Sequence, residues 1–220
     1  MLAQKDRTLH RYNRVKLVDT QDRPITIANL KVGESYLFLY PYITTPCFLI
    51  NLGNATVRQA TLETEDGATY QWRGGVGPQR SVVAFSAICA HMMTHPTRVV
   101  NFINYRHKAA RFKNKDKRLT ERSKIIYCCS EKSVYDPTNG ARVMGGPAPQ
   151  PLAAILLEYD DDDGALYAAG TYGGDMFDKF FEEFKVRLEL EYLTTDIRRE
   201  VVNTAMVMPV DEYCDTQVLC

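Results

Sequence analysis

Tyr127-Cys128-Cys129-Ser130-Glu131-Lys132-Ser133-Val134-Tyr135-Asp136-Pro137 is the stretch on which the reading of this chain turns. The apolar triplet Ile125–Tyr127 runs into two adjacent cysteines and a short polar turn. The chain leaves through Tyr135-Asp136-Pro137-Thr138-Asn139-Gly140, a turn, so the segment reads as strand, thiol-bearing loop and turn. Two other segments belong with it: Cys89-Ala90-His91 upstream, and the loop Gly145-Gly146-Pro147-Ala148-Pro149 downstream. A thiolate and an imidazole two positions apart at a strand end can point at one site, which a second cysteine loop can complete. Cys-x-His alone is a weak signal; the three segments in order are a stronger one.

The surrounding composition is that of a globular protein. The 220 residues are 45% hydrophobic and 25% charged, with 13 Tyr, 9 Phe and 1 Trp, which excludes a wholly disordered chain. That length supports one compact domain with decorations, or two small ones. Basic and acidic residues are equal at 27 each, so only local charge can point to a partner. No apolar run reaches the roughly 18 residues a membrane helix needs. The stretch MLAQKDRTLHRYNRVKL has basic residues but no hydrophobic segment after them, so no secretory signal is expected. A cytoplasmic location, or one peripheral to a membrane complex, follows as the expectation. The six cysteines, Cys47, Cys89, Cys128, Cys129, Cys214 and Cys220, are too scattered for a disulfide scaffold. They favour a reducing compartment or metal ligation.

The first 90 residues read as short strands, at Arg14–Val18, Ser35–Leu39, Cys47–Asn51, Thr69–Trp72 and Val82–Ser86, separated by Gly, Pro, Asn and Asp turns. Residues 98–124 hold ten basic side chains and two acidic ones, and read as an exposed insertion, a long loop with some helix. Strands return at Ile125–Tyr127, Leu152–Tyr159 and Ala165–Ala169. Asp160-Asp161-Asp162-Asp163-Gly164 reads as a hairpin tip, without the ligand spacing of a calcium loop. From Asp175 the period becomes helical, with Met176, Phe177, Phe180, Phe181, Phe184, Leu188 and Leu190 on one face. Residues 194–220 read as a tail that packs on a partner. The fold class expected is all-β: an antiparallel sandwich or barrel over 1–175, a small subdomain at about 85–150, and a helical extension with a tail over 176–220.

The order Cys-x-His, second cysteine loop, Ser-x-Tyr-Asp and Gly-Gly-Pro-Ala-Pro resembles the Rieske iron–sulfur proteins, over roughly residues 80–170. The proline loop is more like the respiratory, cytochrome bc-type branch than the small ferredoxins of oxygenases. In that family two Cys bind one iron of a [2Fe–2S] cluster and two His bind the other. The resemblance implies that Cys89 and His91 are the first ligand pair. An ungapped alignment on Ser133, Tyr135 and Asp136 puts Cys128 at the second cysteine position and Glu131 where the second histidine belongs. A one-residue slip puts Cys129 and Lys132 there instead, and neither register restores a histidine. Ser133 and Tyr135 match hydroxyls that hydrogen-bond the cluster, and Gly146 and Pro147 match the loop that flanks it. The branch's disulfide between the two loops is absent, its positions being Thr94 and Ser130.

The resemblance implies a one-electron transfer subunit of a larger redox complex, not an enzyme by itself. Its partners would be protein redox carriers, such as a cytochrome or a membrane redox complex. The basic segment would dock an acidic partner; nucleic acid is not expected, since regular aromatic interleaving is missing. Two other readings stay open: a Rieske-fold subunit that has lost its cluster and serves as a structural or interaction module, and a ferredoxin component of an oxygenase.

Overall fold

The computed structural model describes residues 9–174 and 176–220. The reading of the first eight residues and the helix start at Asp175 lie outside them. The strands are β1 (Leu9–Val18), β2 (Ser35–Leu39), β3 (Pro46–Asn51), β4 (Ala60–Glu63), β5 (Thr69–Trp72) and β6 (Val82–Ser86). They continue as β7 (Val100–Asn101), β8 (Ile103–Arg106), β9 (Ala110–Lys113), β10 (Leu119–Arg122), β11 (Ile125–Cys128) and β12 (Val134–Asp136). After these come β13 (Arg142–Gly145), β14 (Ala154–Tyr159), β15 (Leu166–Tyr172), β16 (Thr204–Met206), β17 (Met208–Pro209) and β18 (Thr216–Gln217). Helix α1 spans Met176–Glu191, and α2 is the single turn Val210–Tyr213. The chain is all-β, as expected.

Eight strands form the main sheet in the order β16-β1-β15-β14-β6-β3-β2-β17, antiparallel except where β16 runs along β1. All six positions of β3 are buried, so it reads as a continuous apolar run rather than an alternating one. The β4–β5 hairpin does alternate, with Ala60, Leu62, Tyr70 and Trp72 turned inward. The smaller sheet has the order β13-β12-β11-β8. One apolar core runs through both sheets: Phe48, Phe85 and Trp72 from the main sheet side pack with Cys89 of the loop after β6 and with Ile126, Cys128 and Tyr135 of the smaller sheet. The Asp160–Gly164 tip is a turn in which Asp160 and Asp163 accept backbone N–H bonds from Asp162 and Ala165, ordinary turn chemistry.

Three expectations are corrected. Residues 98–124 carry no helix; they form β7, β8 and the β9–β10 ribbon. Lysine and arginine hide the pattern, because Ala110 and Phe112 alternate with Arg111 and Lys113 and pack on Ile125, Tyr127 and Val134. Residues 194–220 pack on this chain: β16 and β17 extend the main sheet and β18 pairs with β7. In α1, Phe180, Phe181 and Leu188 face the core, but Leu190 is 71% exposed, because a straight helix drifts off the stripe by its last turn.

Candidate metal centre

Two loops meet at one end of the smaller sheet. The first leaves β6 and folds on itself: Cys89 N–H donates to Thr94 O (2.8 Å) and Met93 N–H to Cys89 O (3.0 Å), with Met93 at φ +53°. Helix α1 backs this loop, its Phe177, Phe180 and Phe181 packing on Ile88, Ala90 and Met93. The second loop joins β11 to β12. Its neck is tied by Cys128 N–H to Ser133 O (2.9 Å) and Lys132 N–H to Cys128 O (2.8 Å), with Lys132 at φ +63°. The third wall is Gly146, at φ +80°, where any Cβ would strike the Lys132 carbonyl and Ser133 Cα. Only glycine lets the proline loop lie this close.

Cys89 Sγ, Cys128 Sγ and a Glu131 carboxylate oxygen lie within 4.8 Å of one another, the one such donor group among the described residues. Both thiols are fully buried. Cys128 donates to Glu131 Oε2 (2.8 Å), and Thr94 Oγ1 donates to Glu131 Oε1 (2.8 Å). Glu131 therefore bridges the two loops. A hydrogen bond from Cys128, helped by the Tyr135 hydroxyl and the His91 N–H against the cost of burial, pulls the Cys89 thiol below its usual range. Cys128 is pushed far up by Cys89 and by burial. Burial opposes ionisation of Glu131, but the bonds from Cys128, Ser130 and Thr94 outweigh it and hold the carboxyl below its usual range.

The second rank of the site is also in place. Tyr135 Oη lies 3.2 Å from Cys89 Sγ and accepts the Ala90 N–H (3.1 Å). Ser133 Oγ is fully buried with no hydrogen-bond partner in the protein. A buried hydroxyl without a partner is costly, and is explained when a group outside the protein accepts from it. The cysteine side thus fits an iron–sulfur cluster. The imidazole side differs: His91 is exposed and outside the donor group.

The two registers are distinguished by placement. Cys128 turns toward Cys89, whereas Cys129 turns away and forms a disulfide with Cys220, with Cα atoms 5.7 Å apart. Lys132 is exposed. The ungapped register brings its residues together and the slipped one does not. Cys129 and Cys220 are thereby engaged with each other, while Cys47, Cys89, Cys128 and Cys214 are free thiols. No short-range pattern marks Cys220 as a partner of Cys129. The role of Thr94 in joining the loops was equally hidden, because it is a contact across sequence.

No protein-family model matches the chain. It is 31% identical over 147 residues to the iodate reductase subunit IdrB of Denitromonas iodatirespirans, which covers 67% of this chain and 60% of that protein. It is 27% identical over 148 residues to the protein of the same name from Pseudomonas sp. (strain SCT), covering 67% and 58%. The match thus spans less than two thirds of these relatives' length. Among solved structures it is similar to the soluble domain of the Rieske protein II (soxF) of Sulfolobus acidocaldarius, with 26% identity, a TM-score of 0.46, and coverage of 73% of this chain and 78% of that one. The chain resembles the Rieske-type proteins.

Proposed function

We propose that the chain is a one-electron transfer subunit of a larger redox complex, carrying a [2Fe–2S] cluster on Cys89, Cys128, His91 and Glu131. The observation that carries this is the convergence of two buried thiols and a carboxylate from separate loops, beside a buried serine hydroxyl with no protein partner. When bound, such a cluster supplies a reversible one-electron carrier. Cys89 and Cys128 would hold it as thiolates. Ser133 would donate into the vacant direction of its hydroxyl, and Tyr135 would fix Cys89; both bonds favour the reduced state. Glu131, carrying negative charge where a neutral imidazole is usual, acts in the opposite direction. The proline loop excludes water from the cysteine side. The Gly-Gly-Pro-Ala-Pro sequence favours the respiratory branch, and likeness to iodate reductase subunits supports assembly with a catalytic partner. The disulfide supports an oxidising compartment.

One observation favours a second reading. Glu131 already satisfies both oxygens within the protein, and the described residues supply no second histidine. In that reading the Rieske fold is kept for its surfaces. Iron and acid-labile sulfide on anaerobically purified protein, with EPR after dithionite reduction, separate the two. About two irons and two sulfides with a rhombic reduced signal establish the carrier. Absence of both from folded, reconstituted protein leaves the structural reading.

A further inference from the structure

The β9–β10 ribbon holds six basic side chains and two acidic ones over residues 110–122, and the fold sets it beside the candidate metal centre. Lys113 ends β9 and Lys115 lies in the ribbon's turn. The Lys113 carbonyl occupies the space a Cβ on Gly145 would need, and Lys115 N–H donates to Met144 O (3.1 Å). The next residue, Gly146, is the one pressed on Lys132 and Ser133 of the second loop. A single Met144–Gly146 strip therefore touches the basic turn on one side and the site on the other.

Charge on this face is only partly cancelled. Arg111 pairs with Glu121 (3.1 Å), and Arg118 with Asp116 (3.0 Å). Lys113, Lys115, Lys117 and Lys132 are exposed and make no ion pair among the described residues. Glu63 and Glu65 lie across the groove from Lys115, but Glu65 is engaged by Lys179. Leu119 stands directly opposite Lys113 in the ribbon and is 69% exposed, an apolar contact within the basic field. Exposed His91 marks where the site reaches the surface.

We infer that this ribbon, with Lys132, is the docking face for an acidic protein redox partner. The inference rests on the electron-transfer reading for the partner's nature and on geometry for the place. Four exposed lysines without an ion pair among the described residues steer an acidic surface toward this face, and Leu119 gives that surface a short-range apolar contact. Phosphate-rich polymers are the competing acidic ligands, but the ribbon's outer face presents no aromatic ring on which bases could stack.

The test uses the full chain and two probes, poly-L-glutamate and duplex DNA, with binding followed by calorimetry across a salt series. The expected result is salt-sensitive binding of poly-L-glutamate, weakened about tenfold or more in the Lys113→Glu/Lys115→Glu/Lys117→Glu variant. The Lys185→Glu variant on α1 should bind like the wild type. All four substituted side chains are exposed, and a matching Lys→Gln triple variant guards against a folding defect. Equal binding by wild type and both triple variants overturns the proposal, as does equal weakening by Lys185→Glu or tighter binding of DNA than of poly-L-glutamate. Iron content is read separately. Loss of the docking effect with iron present removes the docking face alone; docking without iron removes the electron-transfer reading alone.

Discussion

Cys129 is joined by a disulfide to Cys220, 91 residues further along, while its neighbour Cys128 faces the site as a free thiol. The bond fastens residues 214–220 across the subdomain. There β18 lies along β7, Val218 N–H donates to Asn101 O (2.8 Å), and Arg106 reaches Cys220 O (2.6 Å). Closing so long a loop removes much unfolded-state freedom. Reduction, or Cys220→Ser, is expected to cost about 2–5 kcal/mol in denaturant unfolding. Thiol titration of the unfolded, unreduced chain should find four free thiols, at Cys47, Cys89, Cys128 and Cys214; finding six would refute the bond.

Ser133→Ala gives opposite signs in the two states of the site. Without a cluster the hydroxyl is buried and unpartnered, so its removal should leave stability unchanged or raise it by up to about 1 kcal/mol. With a cluster, the same change removes a donor and should lower the reduction potential measured by EPR-monitored titration. A loss of several kcal/mol in cluster-free protein would mean that the hydroxyl has a partner there.

Gly146→Ala should damage the site without touching a candidate ligand. The added methyl meets the Lys132 carbonyl and Ser133 Cα, both backbone, at a φ of +80° that alanine adopts poorly. A destabilisation of about 2–4 kcal/mol is expected, together with faster amide exchange in residues 128–133. Exchange unchanged in that loop would show that the proline loop does not hold it.

His95 makes stability depend on pH. It is buried between Phe180 and Phe184, donates from Nδ1 to Met93 O (2.9 Å), and leaves Nε2 without a partner. Burial, with Arg187 adding to it and the Met93 bond opposing, lowers its pKa from 6.5 to about 4. The folded state thus resists a proton that the unfolded chain accepts. This contribution is fully present above pH 6.5 and is lost as pH falls toward 4, by about 3 kcal/mol. Comparing unfolding free energies of wild type and His95→Leu across that window checks it: the difference should change with pH, and a pH-independent difference would sink the assignment.

Much of the architecture was legible locally. Short β-rich runs bounded by turn residues marked eight of the eighteen described strands, and Cys89-x-His91, Cys128, Ser133-x-Tyr135 and the proline loop marked the site, because these signals span few residues. Residues 98–124 were misread because lysine and arginine on the outer face outnumber the two inward residues, Ala110 and Phe112, that anchor β9. Strand β4 went unseen for a similar reason: half of a four-residue strand faces solvent.

The sequence by itself determined eight of the strand-forming segments, the order of the ligand-bearing motifs and the absence of a second motif histidine, all properties of residue type and short spacing. Tertiary structure alone decided that Cys128 and not Cys129 faces Cys89, that Glu131 ties the loops through Thr94, that His91 stays at the surface, and that Cys129 pairs with Cys220. Those outcomes depend on which way a side chain leaves a hairpin and on which distant segment packs beside it. Local spacing carries neither; the shared core that presses the two loops together supplies both.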